Sequence, residues 1–229
     1  MAGRRSAMDI EALGFPLFLA FTMGFAAWFG VGSYINRQRI GKVANWVRDG
    51  VRPFAGRASI RTIGTNAFTI SVEDSKAPFR ELHVTVLLES REMPFVWLWN
   101  RIRGHSDIIY FRADLQKTPY RPLEIYLDSS VLAPDSRRAI ADTGISPQRL
   151  EGTSLLCGMA GREAHELANR LLSLLAADTA YLERLSVSRT SPHLALGLKL
   201  GPYFSGRPHE LFQKVVRVAT AVTARTGSE

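Results

Sequence analysis

Residues 13–35 read LGFPLFLAFTMGFAAWFGVGSYI, a run of 23 positions without one ionisable side chain. A helix rises 1.5 Å per residue, so about 20 residues cross a hydrocarbon layer of ~30 Å, and this run can span with some tilt. Pro16 is expected in the first helical turn, where a missing N–H costs little. Trp28 and Tyr34 lie toward the far end, where amphipathic rings settle near headgroups. A cleavable signal would pair an apolar segment of roughly 7–15 residues with a small-x-small site. Tyr34-Ile35-Asn36-Arg37 offers no such site. A buried core helix of this length would carry a polar face, and this one has none. The expectation is an uncleaved transmembrane helix over 13–35, preceded by a short extracytoplasmic segment, 1–12.

The flanks set the orientation. Arg4 and Arg5 precede the run and are offset by Asp9 and Glu11. Arg37, Arg39, Lys42, Arg48, Arg52, Arg57 and Arg61 follow it, with Asp49 the only acid among them, so this segment holds most of the chain's formal +8. Basic residues beside a span stay on the cytoplasmic side, which predicts a cytoplasmic C-terminal domain. Within the span, Ala20 with Gly24 and Ala26 with Gly30 are small-x-x-x-small pairs that would let helices approach closely in a homo-oligomer. The pairs are six residues apart, about 600° around the helix, so they do not share a face.

Outward from the span, Ile40, Val43, Val47, Val51 and Phe54 recur at spacings of three and four beside Trp46. This predicts a basic amphipathic helix over 36–57, ended by Gly50 and Pro53. Two readings stay open. Arg37, Arg39, Lys42, Trp46, Arg48 and Arg52 suit the surface of an anionic leaflet, where each Lys or Arg contributes about 1 kcal/mol. Alternatively, the apolar stripe packs on the domain that follows. Beyond Arg61 the charges nearly balance, with 20 basic and 18 acidic residues, which argues against nucleic-acid binding.

Residues 58–225 read as one α+β domain. Period-two alternation predicts strands around Phe68–Val72, Leu82–Val86, Ile108–Phe111 and Leu123–Leu127, giving an antiparallel sheet of four or five strands over 58–128. A short helix follows Pro134, then a strand near Leu150–Cys157, an amphipathic helix from Arg162, strands at Leu185–Ser188 and Leu194–Leu200, and a last helix from Pro208. Strands followed by mixed elements, with two or three packed helices, argue α+β rather than a doubly wound sheet. Hydrophobic residues at 46% and charged residues at 22% exclude a disordered chain, a collagen and a polytopic membrane protein. Cys157 is the single cysteine, which excludes a disulfide framework and a multi-cysteine zinc site.

Met93-Pro94-Phe95-Val96-Trp97-Leu98-Trp99-Asn100-Arg101-Ile102-Arg103 is ambiguous in period. As a helix it aligns Phe95, Leu98, Trp99 and Ile102; as a strand it aligns Phe95, Trp97 and Trp99. Core is the first expectation for either form. An interface at Phe95, Trp97 and Trp99, with headgroups or with a protein partner, is the other.

Three places invite chemistry. Asp142-Thr143-Gly144 matches the tripeptide that carries the catalytic carboxylate of aspartic proteases, yet helical residues precede it where an apolar strand is needed. Two such carboxylates must share a proton, so one motif would require a dimer. His165-Glu166 and His209-Glu210 begin near-misses of H-E-x-x-H, with Asn169 and Gln213 where the second imidazole would stand. Neither is a usual zinc ligand, so no metal is expected. Cys157 precedes glycines and a helix carrying His165, an arrangement that can ionise a thiol, although a lone cysteine ending an apolar strand more often packs as a small hydrophobe. No phosphate-binding glycine loop, nucleophile elbow or cofactor signature occurs. The sequence thus predicts a membrane-anchored, non-catalytic scaffold, assembly or regulatory module that meets an anionic bilayer and a protein partner. The alternative is a tethered enzyme using Cys157 with His165, or Asp142.

Overall fold

The structure is a computed structural model that describes residues 3–142, 146–158 and 162–224. Helix α1 (Gly3–Val51) runs unbroken for about 70 Å. It starts well before the apolar run, so Pro16 lies inside the helix rather than in its first turn and removes one hydrogen bond without ending it. From Gly14 to Val31 every residue is exposed. From there one stripe turns inward: Gly32, Asn36, Val43, Val47, Gly50 and Val51 are buried. The helix ends at Val51, beside Gly50 and Pro53 and short of the expected 57, because the chain from Arg57 already pairs as a strand; the two expected helices are one.

The remaining chain is α+β. Nine described strands form one antiparallel sheet: β1 (Arg57–Ile63), β2 (Ala67–Glu73), β3 (Phe79–Leu87), β4 (Ile108–Leu115), β5 (Leu123–Leu127), β6 (Gln148–Arg149), β7 (Leu155–Gly158), β8 (Leu182–Val187) and β9 (Leu194–Lys199). Their order is β1-β2-β3-β4-β9-β8-β5-β7-β6. Of the antiparallel sheet expected over 58–128, β1 to β4 pair in sequence order, and the hairpin β8–β9 inserts itself between β4 and β5. The helices are α2 (Pro94–Ile102), α3 (Ala133–Ala141), α4 (Arg162–Leu175), the short α5 (Gly201–Phe204) and α6 (Pro208–Thr223).

Register explains the core. Ile70, Val84, Phe111, Leu196, Leu185, Ile125 and Cys157 fall in one row across neighbouring strands. All are buried, because alternation puts this row on the face covered by the end of α1, α4 and α6. Phe212 of α6 meets Phe111 edge-on, with ring centroids 5.3 Å apart. A Cβ at Gly50 would sit 2.3 Å from the Phe212 ring, so glycine is what lets α6 close on α1.

The opposite face is polar along β2 and β3, where Ser71 bonds His83 at 2.9 Å and Thr69 bonds Thr85 at 2.9 Å. Over β5 and β8 it is covered by α3. There Arg184 donates from Nε to Glu124 at 2.8 Å and from a terminal nitrogen to the Tyr110 hydroxyl at 3.3 Å. Burial is the largest single influence and works against the Arg184 charge, but Glu124, Tyr110 and Asp135 together hold the guanidinium above its ordinary pKa.

Candidate functional site

The most organised polar constellation lies where α1 enters the domain. Trp28, Gly32 and Asn36 are four residues apart and so form one stripe. The segment leaving β3 follows that stripe. Asn36 donates its amide to the Glu89 carbonyl at 3.2 Å, and its side-chain oxygen accepts from Arg91 at 3.0 Å. Arg91 crosses α1 so closely that a Cβ at Gly32 would lie 2.4 Å from its carbonyl oxygen. One turn earlier, the Trp28 indole N–H donates to that same carbonyl at 3.0 Å, and its ring lies 6.3 Å from Trp97.

Asp107, at the entry to β4, ties this junction together. Its buried carboxylate accepts the Glu89 backbone N–H at 2.8 Å and pairs with Arg39 at 2.6 Å and Arg91 at 3.4 Å. Its backbone carbonyl accepts from Leu200 at 2.7 Å, fixing it to the end of β9. One cluster thus joins the helix, the β3–α2 segment and the sheet.

Glu89 is the uneasy member. One of its carboxylate oxygens is buried without a hydrogen-bond partner. Burial first, and then the Asp107 charge, push its pKa above the ordinary carboxylate value, against the pull of Arg91 and Arg101. The folded protein therefore holds this proton more readily than the unfolded chain, and stability falls as pH rises from about 4.5 through the raised folded value. Glu89→Gln is expected to raise the melting temperature at pH 7, with the gain shrinking away below about pH 4; thermal unfolding across that range checks it.

The basic and aromatic set that follows the apolar run divides. Arg37, Lys42, Arg48 and Arg52 are exposed. The apolar stripe is not free for a leaflet, because Val43, Val47 and Val51 are buried in the domain core. Trp46 packs against Phe204 and Phe212 and donates its indole N–H to the Gly206 carbonyl at 3.0 Å. Arg39 is held by Asp107 and lies 5.8 Å from the Phe204 ring centroid. Of the two open readings, packing on the domain is the one this geometry realises.

The stretch from Met93 to Arg103 is a helix, and the core expectation for it is overturned: no residue of α2 is buried. Pro94 starts it within the connection between the antiparallel neighbours β3 and β4, and it leans on α1 through Trp97 instead of on the sheet. Phe95 and Trp99 point outward, whereas Trp97 is half-buried. In the apolar run, nothing lies within 4 Å of a Cβ built at Gly24 or Gly30, so no described residue packs against either glycine.

The catalytic candidates stand on or at the end of three different elements, β7, α4 and α3. Cys157 is buried in the sheet row beneath the helices, and desolvation, then the Glu124 charge, push its thiol up to about 11. At pH 8 only about one thiol in a thousand would be ionised, the reverse of an activated nucleophile. Cys157 is expected to resist maleimide at pH 7.5 in the folded protein and to react in denaturant, as read by intact mass. His165 sits half-buried in the first turn of α4. Asp142 is exposed at the C-terminal end of α3, and Thr143, Gly144 and Met159–Gly161 lie outside the described residues. His209 bonds Gln213 at 2.7 Å along α6. Among the described residues no group of three or more His, Cys, Asp or Glu side chains could hold a metal ion.

Sequence reasoning missed Gly32, Asn36, Arg91 and Asp107. The available signal was the spacing of four that joins Trp28 to the last glycine of the run and the first polar residue after it. Compared with models of protein families and with curated proteins, the chain matches none.

Proposed function

We propose that this chain is a single-span membrane protein whose α+β domain is a non-catalytic scaffold, assembly or regulatory module at the cytoplasmic surface. The observation that carries the reading is α1 itself. Its apolar stretch is long enough to cross a bilayer and is exposed from Gly14 to Val31, and the helix continues without a break into a part built into the core. An apolar rod of this size in water is an aggregation hazard, whereas in lipid a helix already satisfies its own backbone.

Orientation rests on charge. Arg37, Lys42, Arg48 and Arg52 remain exposed on the domain side of the run, where they can meet anionic headgroups for about 1 kcal/mol each. The Asp107 cluster supports a module held at fixed orientation, since it clamps the exit of the helix to the sheet. The non-catalytic part of the reading is supported by the buried Cys157 thiol, whose pKa burial and the Glu124 charge raise instead of lowering.

Protease treatment with a tag at the C-terminus tests the placement. The tag is expected to survive in intact cells and to be cut in inside-out vesicles; cutting in intact cells reverses the orientation. Combined substitution of Cys157, His165 and Asp142 by alanine is expected to leave the cellular role intact. Loss of that role at normal protein level would favour the tethered enzyme.

A further inference from the structure

We infer that α2 is a second lipid-contacting element, lying in the membrane beside the domain-side end of the span, with its outer face among headgroups and upper acyl chains. The inference rests on the membrane reading above and adds a surface that reading does not need.

Depth is the first argument. Asn36, Gly32 and Trp28 mark two helical turns, about 12 Å along the axis. The chain leaving β3 touches them in that order: Glu89 at Asn36, Arg91 at Gly32, and Arg91 with Trp97 at Trp28. It therefore travels along α1 into the apolar run, and α2 starts at the level of Trp28. That level is seven residues, about 10 Å, inside Ile35, the last apolar position of the run. Interfacial helices bury their apolar faces about 5–10 Å into the headgroup and acyl boundary, which matches.

The face itself is the second argument. Phe95, Leu98, Trp99 and Ile102 recur at helical spacing and are 66%, 52%, 56% and 73% exposed. The opposite side, with Trp97 and Asn100, is half-buried toward the protein. At the C-terminal end the Arg103 guanidinium stacks over the Trp99 ring at 4.5 Å from its centroid, so a cation rims the apolar face where phosphate groups would lie. Continuity with the span selects lipid over a protein occupant. Any bilayer surrounding residues 14–31 already reaches the surface next to Trp28, and no additional molecule has to be brought in.

The test uses full-length protein reconstituted in vesicles of phosphatidylcholine mixed with phosphatidylglycerol. Single cysteines replace Leu98 in α2, Phe21 in the span and the exposed Glu151 as an aqueous reference, each labelled with a polarity-sensitive fluorophore; unsubstituted protein gives the blank for buried Cys157. Quenching by nitroxides on lipid chains is compared with quenching by aqueous iodide. The Leu98→Cys label is expected to follow Phe21→Cys, losing severalfold more fluorescence to lipid nitroxide than to iodide, with Glu151→Cys reversed. Iodide quenching at Leu98→Cys, while Phe21→Cys stays lipid-quenched, overturns the inference and leaves the span standing. Shielding from both quenchers overturns it in favour of a second copy covering α2. Failure of lipid nitroxide to reach Phe21→Cys removes the membrane reading and this inference with it.

Discussion

Arg184→Ala is expected to destabilise the domain by about 3–5 kcal/mol, the cost of breaking a buried ion pair and leaving one charge behind. Arg184 and Glu124 are only 10% and 7% exposed, so water cannot take over the role of the lost partner. Removal would also strip the Tyr110 hydroxyl of its guanidinium neighbour, beneath a helix that packs on this part of the sheet. The site has no slack for rearrangement: a Cβ at Gly197 would already lie 2.5 Å from Leu132. For a domain of this size the melting temperature should fall by about 10 °C or more. Replacing both partners at once, Arg184→Met with Glu124→Leu, is expected to restore most of the loss, because the penalty comes from the orphaned carboxylate. A single-variant loss below about 1 kcal/mol would mean the pair behaves like an exposed surface bridge.

Asp107→Ala is the second large effect, expected at about 3 kcal/mol, the lower end of the buried-pair range because Arg39 keeps partial access to water. The substitution takes one carboxylate from Arg91, leaving it Asn36 and Glu89, and removes the acceptor for the Glu89 N–H. Its signature should be local as well as global. Amide exchange should accelerate at residues 88–92 and at the exit of α1 before it does in β2 or β9, since only the junction depends on this carboxylate. Asp107→Asn keeps an acceptor oxygen and should fall between. Asp107→Ala combined with Arg91→Ala should cost less than the sum of the two, because they act in one network. Uniform acceleration across the sheet would show that Asp107 supports the fold as a whole and is not a clamp on the helix.

Local pattern carried much of this architecture. Valines at 43, 47 and 51 announced an apolar stripe without saying whether a leaflet or the domain covers it, and Gly50 with Pro53 announced its end. Alternation in 68–72 and 82–86 identified strands whose inward residues are the ones found buried, and in 194–200 it identified a strand buried on both faces. Strand order was not legible, since the insertion of β8–β9 beside β4 depends on pairing between Ile109 and Leu198, far apart in sequence and each apolar like many others. The Met93–Arg103 stretch was ambiguous because its aromatic residues satisfy both periods. Only the position of α1 beside it decides which face points outward. Asn36, Arg91 and Asp107 were invisible for the same reason: each is an ordinary polar residue until the fold brings all three to one point. Trp28 read as a headgroup ring and proves to be a hydrogen-bond donor to the domain as well.

The most direct check on the account is where the full-length protein goes when cell membranes are washed in alkaline carbonate, which strips proteins held only by surface charge. An α1 embedded in lipid keeps the chain in the membrane pellet at any salt concentration. Quantitative release into the supernatant would contradict the account at its root, because the exposed apolar rod would then have to be covered by protein.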